Sequence, residues 1–203
     1  MAAPLSSPAE IRTTPLPIAG LVPDWLDPGF EDGRLRLHIG GRYHRPGWKI
    51  LDIQPGPTVD FVGDCQNLSQ FGDATVSAIY ASHVIEHLSH RDELEKALTE
   101  IRRILTKDGV FLMSVPDLNV LCELFVDQSL EFKERAQVMF MMFGGQLDPH
   151  DFHRVGLWRD FLGRALALAG FRRVEQVPVF GLFHDSSLAS VRGRYISLNV
   201  IVS

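Results

Sequence analysis

Residues 76–81 read Val-Ser-Ala-Ile-Tyr-Ala, a short apolar run with β-branched and aromatic members, which predicts a strand buried on both faces. The chain then turns polar at once, with Ser82, His83, Glu86 and His87. Three further strands are predicted upstream. Residues 35–39 alternate apolar and polar and end in Gly40-Gly41; residues 48–53 end on Asp52-Ile53; residues 59–62 run into Gly63-Asp64. About eight residues separate the first pair and about five the second, whereas a parallel crossover takes about a dozen. Either the connecting helices are lost, or part of this region is antiparallel.

Downstream, Ser89 and Asp92 have the Ser-x-x-Asp spacing of a capping box, and Leu94, Ala97, Leu98, Ile101, Ile104 and Leu105 recur at helical intervals. The helix is expected to stop at Lys107-Asp108-Gly109, with the glycine as a left-handed cap, before a strand over 110–115 broken by Pro116. Strand, helix, strand is a βαβ unit, which sets two neighbouring parallel strands in one sheet. A looser helical pattern covers 118–143 and stops at Gly144-Gly145, with Met139, Met141, Met142 and Phe143 read as core. The polar loop 146–154 carries Asp148, His150, Asp151 and His153. Another amphipathic helix follows, with Leu157, Phe161, Leu162, Ala165, Leu166 and Ala169 leading to Gly170; segments 171–179 and 195–202 are the last strands.

At 203 residues and 45% hydrophobic, the chain can bury one good core and does not require a second. Six of its 12 prolines (Pro4, Pro8, Pro15, Pro17, Pro23 and Pro28) fall in residues 1–33, so this leader is expected to be an extended arm, partly disordered or wrapped on the domain 34–203. Trp25, Leu26 and Phe30 favour wrapping. The net charge of −5 and the scatter of basic residues argue against nucleic acid as a partner, although Arg34, Arg36, Arg42, Arg45 and Lys49 gather around one segment. Cys65 and Cys122 are far apart, which suits a reducing compartment, and no apolar run approaches the roughly 20 residues of a membrane span. A cytoplasmic protein without membrane contact is expected.

Three stretches carry a resemblance: Tyr-Ala-Ser-His-Val-Ile-Glu-His-Leu at 80–88, Arg-Arg-Ile-Leu-Thr-Lys-Asp-Gly-Val at 102–110 and Ser-Val-Pro-Asp-Leu at 114–118. Met-Met-Phe-Gly-Gly at 141–145 with His153, and Ile-Ser-Leu-Asn-Val-Ile at 196–201, add to it. Together they resemble class I methyltransferases that use S-adenosylmethionine, in particular short methyltransferase-domain proteins of bacterial glycan and natural-product gene clusters. The resemblance implies an α/β, Rossmann-like fold: a mostly parallel sheet, helices on both faces, an antiparallel terminal strand and, here, shortened first crossovers. It also implies methyl transfer to oxygen or nitrogen of a small molecule or sugar.

By the same resemblance the turn His38, Gly40, Gly41, Arg42 would approach the methionine part of the cofactor, where a residue without a side chain lets the backbone close on the ligand. Asp52 would accept from the ribose hydroxyls, Asp64 with Cys65 would face the adenine, and Ser82 and His83 would flank the cofactor beneath the transferred methyl. The family turn reads Gly-x-Gly, whereas this one reads Gly40-Gly41-Arg42. Arg42 is therefore expected either to pair with the cofactor carboxylate or to fill its place.

Methyl transfer from a sulfonium is an in-line displacement, so a base is needed only if the acceptor must lose a proton; His83, His150 and His153 are the candidates. No metal is expected. The stretch also resembles methyltransferases of catechol-like quinone precursors, which can hold a divalent ion there, but His83 replaces the first acid and adjacent residues at a helix start diverge. Glu86 is accordingly read as helix-start electrostatics. Two other readings stand beside the enzyme. One is a methyltransferase-fold protein that has lost turnover and serves in binding or assembly; the other is nucleotide-sugar recognition through the basic residues 34–49.

Overall fold

The apolar runs pair into one sheet of eight strands in the computed structural model, which describes residues 11–13 and 33–203. In chain order the strands are β1 (Ile11–Thr13), β2 (Leu35–Ile39), β3 (Lys49–Asp52), β4 (Phe61–Val62), β5 (Val76–Ser82), β6 (Leu105–Pro116), β7 (Val174–Val177) and β10 (Ser197–Val202). Two short strands, β8 (Ser190–Val191) and β9 (Arg194–Tyr195), form a separate hairpin. The spatial order is β1-β7-β10-β6-β5-β2-β3-β4. All neighbours are parallel except β10, which runs antiparallel to both β6 and β7.

β2, β3 and β4 are thus parallel, and no α-helix lies between β2 and β5. The short connections reflect lost helices, not reversed strands. β5 sits beside them because Val76, Ala78, Ile79 and Ala81 offer only apolar side chains and Tyr80 packs its ring in the core while its hydroxyl bonds Asp185; each is fully buried.

The first helix, α1 (Glu93–Ile104), turns Leu94, Ala97, Leu98, Ile101 and Ile104 onto the sheet. Both of its predicted ends are corrected. Asp92 makes no side-chain cap; instead the Glu93 carboxylate accepts from the Ser89 backbone N–H at 2.8 Å. At the other end Leu105 is already extended, so the chain enters β6 directly and Gly109 lies within the strand without a left-handed backbone. Leu105 is buried, and packing draws it into the sheet before the glycine is reached.

The main core lies between α1, α4 (Arg159–Leu168) and one sheet face. On the opposite face, Trp48, Ala78, Tyr80, Val110, Leu112 and Ile201 are covered by Phe180 and Leu182 of the segment that follows β7. Between β6 and α4 lie α2 (Leu118–Val126) and α3 (Phe132–Phe143), which pack with the β8–β9 hairpin around Leu121, Leu124, Val138, Val191 and Ile196. Of the expected methionine core, Met141 and Met142 pack partly here, whereas Met139 and Phe143 are exposed. Apart from β1 on the sheet edge beside β7, the leader, including Trp25, Leu26 and Phe30, lies outside the described residues. Among the described residues no helix is long and apolar enough to cross a membrane.

Candidate functional site

Parallel strands β2, β3, β4 and β5 present their carboxyl ends side by side, and the polar residues that follow them meet there. The turn after β2 is tied down by the Gly40 N–H, which donates to Leu51 O at 2.9 Å. Gly40 has φ +72°, and a Cβ on it would lie 2.6 Å from Val84 Cγ2; one on Gly41 would lie 2.7 Å from the His38 ring. Only glycine fits this conformation at this distance. Arg42 is exposed.

Asp52 ends β3 half-buried, with Oδ1 accepting from the Gln54 N–H at 2.8 Å. Asp64 accepts from the backbone N–H and the side-chain amide of Gln66, at 2.9 and 3.0 Å. Beside them Ile53 and Val62 stand 46% and 55% exposed, an apolar rim next to two acids. Cys65 turns the other way: its side chain belongs to the main core, and burial pushes its thiol up to about 12. Its side chain therefore faces protein, and Ile53 and Val62 are the apolar groups at the acids.

His38 also faces protein. Its ring is buried against Phe183 and Tyr80, at centroid distances of 4.2 and 5.0 Å, and burial holds its pKa down at about 4 although the Asp185 carboxylate pulls it up. Asp185 gathers the end of β5, accepting from Tyr80 Oη at 2.9 Å, Ser82 Oγ at 3.2 Å and the Ser187 N–H at 2.9 Å. Burial raises the Tyr80 phenol.

His83 follows with φ +54°, a costly backbone for a side chain of this size. Its N–H donates to Ser114 O, and its Nε2 lies 2.9 Å from Ser197 Oγ. Its Nδ1 lies 3.4 Å from Glu86 Oε1. Glu86 sits in the 3-10 turn Ile85–His87, is buried, and has its carboxyl pushed up to about 8 by that burial. His153 reaches the same carboxylate from the polar loop, with Nε2 3.8 Å from Oε1 and Nδ1 3.0 Å from Met141 O. His87 closes the group, its ring edge-on to His153. Burial lowers His83 and His153 to about 4 and lowers His87 as well. His150, by contrast, is exposed, its backbone N–H bound to Asp148, and it stands outside this group.

Of the residues singled out in the sequence, the structure brings together the Gly40–Gly41 turn, Asp52, Asp64 and Ser82 at the strand ends, and His83 with His153 around Glu86. Asp185 comes from the loop before the 3-10 turn Ser186–Leu188 and Ser197 is the first residue of β10; neither stands among the individual site residues the sequence points to, and Glu86, expected to act as helix-start electrostatics, lies at the centre of the histidine group. Of the exposed apolar pair, Ile53 directly follows β3 and Val62 ends the two-residue strand β4. A cleft beside the histidines is lined by Pro116, Leu118, Leu121, Met141, Met142 and His153.

Residues 48–113 match the methyltransferase domain family. The fold superposes on a SAM dependent methyltransferase from Archaeoglobus fulgidus with a TM-score of 0.50 and 16% identity, covering 83% of this chain and 84% of that one. It superposes on the CMeT domain of the citrinin polyketide synthase with a TM-score of 0.51 and 14% identity, covering 83% of this chain and 46% of that one. The CurJ carbon methyltransferase gives 0.50 and 13%, with 86% and 50% covered. No curated protein matches the sequence.

Proposed function

We propose that this chain is a class I S-adenosylmethionine-dependent methyltransferase and moves a methyl group to oxygen or nitrogen of a small molecule or sugar; the domain match over 48–113 and the shared fold support the reading. The observation that carries the reading is the set at the ends of β2, β3 and β4: a glycine turn, the half-buried Asp52 and the exposed Ile53 and Val62. The cofactor offers a carboxylate, a ribose diol and a flat base, and these residues fit each. Arg42, exposed at the turn, supports pairing with the carboxylate; Asp52 has a second carboxylate oxygen for the diol; Ile53 and Val62 supply apolar surface for the base, and Asp64 an acceptor for its amino group.

The cofactor supplies a methyl group on a positively charged sulfur. What this chain must add is alignment and exclusion of water. Ser82 and the turn Gly40-Gly41 bound the site at the strand ends. The acceptor side is assigned to the loop 144–153 and the segment 180–185, where His153 lines a small hollow with Pro116, Leu118, Met141 and Met142. His83 has both ring nitrogens facing protein groups, which favours a positioning role; His153 is the base candidate that lines the cleft. A carbon methyltransferase shares the fold, so the fold alone does not fix the accepting atom, and oxygen or nitrogen rests on the sequence resemblance.

Calorimetric titration with S-adenosylmethionine and S-adenosylhomocysteine tests this. We expect micromolar binding, weakened about 10-fold or more by Asp52→Ala through loss of a charged hydrogen bond worth about 1.5–3 kcal/mol. Arg42→Gly should weaken binding too; tighter binding would mean that the arginine blocks the site. No heat from folded protein would overturn the enzyme reading in favour of a binding or assembly role.

A further inference from the structure

Glu86 is 1% exposed, yet neither oxygen of its carboxylate has a hydrogen-bond partner. Buried polar groups are almost always paired, and a carboxyl group left bare in the interior is costly. The groups turned toward it are imidazoles. His153 Nδ1 lies 3.0 Å from Met141 O and His87 Nδ1 lies 3.2 Å from Phe152 O. A carbonyl can only accept, so in both rings Nδ1 carries the hydrogen and Nε2 keeps the lone pair. An imidazole anchored through its outer N–H to a backbone carbonyl is the arrangement by which proteins aim a nitrogen at a metal ion. One donor atom each from Glu86, His87 and His153 lies within 4.8 Å of the others.

We propose that Glu86, His87 and His153 bind one divalent transition-metal ion, with zinc the best match to two imidazoles and a carboxylate. Magnesium and calcium prefer an all-oxygen shell, which these residues do not offer. A tetrahedral site with bonds of about 2.0–2.1 Å has ligand atoms about 3.4 Å apart, so the three side chains close on an ion by shifts of about 1 Å.

Backbone bonds hold the two parts of the site in register. Arg154 and Val155 N–H both donate to Glu86 O, at 2.8 and 3.2 Å, stapling the polar loop to the 3-10 turn. The loop itself turns at Gly144, φ +83°, where a Cβ would lie 2.2 Å from Asp151 O. His153 N–H then bonds Phe143 O at 3.1 Å. His87 is only partly buried, which gives an ion access from solvent. Three protein ligands leave a coordination position, and His153 lines the acceptor cleft, so a bound ion would offer that position to an acceptor oxygen or nitrogen. This last role rests on the methyltransferase reading and, since His153 has one lone pair, replaces its role as base; metal binding itself rests on neither.

The test uses the full chain, stripped with a chelator and titrated calorimetrically with zinc alone, without cofactor or acceptor. The expected result is one zinc per chain at micromolar affinity or tighter. His87→Ala and His153→Ala should each weaken it by more than the roughly 10–100-fold that loss of an outer partner costs. His90→Ala, exposed and nearby, should leave it unchanged. Cobalt should give visible bands in the parent that His87→Ala removes. Zinc that fails to bind protein shown by circular dichroism to be folded would overturn the proposal. So would zinc bound with an affinity that neither histidine variant changes. Should His153→Ala unfold, the partly exposed His87 keeps the test open.

Discussion

At the scale of single residues, His38 links packing to pH. Its ring is wedged against Tyr80 and Phe183, and burial keeps its pKa at about 4 against the opposing pull of Asp185. In the unfolded chain an imidazole titrates near 6.5. Between these values the unfolded state binds a proton that the native state does not, so this contribution is whole above about pH 6.5 and is lost as pH falls toward 4. From pH 7.5 to pH 5 the expected loss from His38 alone is about 2 kcal/mol, at 1.36 kcal/mol for each pH unit of difference. Urea unfolding at both values should show it. His83 and His153 are depressed in the same direction, so His38→Gln should reduce the pH dependence without abolishing it. Sequence placed His38, Asp52 and Asp64 at strand ends, but it could not say which way a side chain leaves the turn. That direction put His38 against two aromatic rings and Cys65 in the core.

Among elements, the segment after β7 stands where the missing helices would have packed. It is fastened to β5 by Tyr80 Oη on Asp185 and to β10 by Asn199 Nδ2, which donates to Pro178 O and Ser187 O at 2.8 and 3.1 Å. Tyr80→Phe removes a buried hydrogen bond to a carboxylate, and we expect a cost of about 1–3 kcal/mol in chemical denaturation. Limited proteolysis should show earlier cleavage within residues 178–189; an unchanged cleavage pattern would mean that the apolar contacts of Phe180 and Leu182 suffice. The helical periodicity of α1 was legible because its apolar face follows from local spacing alone. Its ends were not: Asp92 and Gly109 are sound capping residues by type, but Leu105 gains more by entering the sheet than by extending the helix.

For the whole molecule, the two cysteines report on the fold. Cys65 is buried with its thiol held protonated, and Cys122 is exposed on α2. Thiol titration of the native protein at pH 8 should therefore give one fast equivalent per chain, and a second only after denaturation; two fast equivalents would contradict the packing of the β4–β5 connection. What the sequence determined by itself is what repeats locally: strand and helix periods, a βαβ unit around residues 76–115, and the polar residues that follow each strand. These are set by side-chain spacing along one stretch of backbone. Only the tertiary structure decided that the short first connections are parallel, that β10 lies between β6 and β7, and that Glu86, His87 and a loop histidine 67 positions after Glu86 bring donor atoms within 4.8 Å of one another. Those outcomes depend on contacts between distant segments, where the burial of one carboxylate is set by every chain that packs around it.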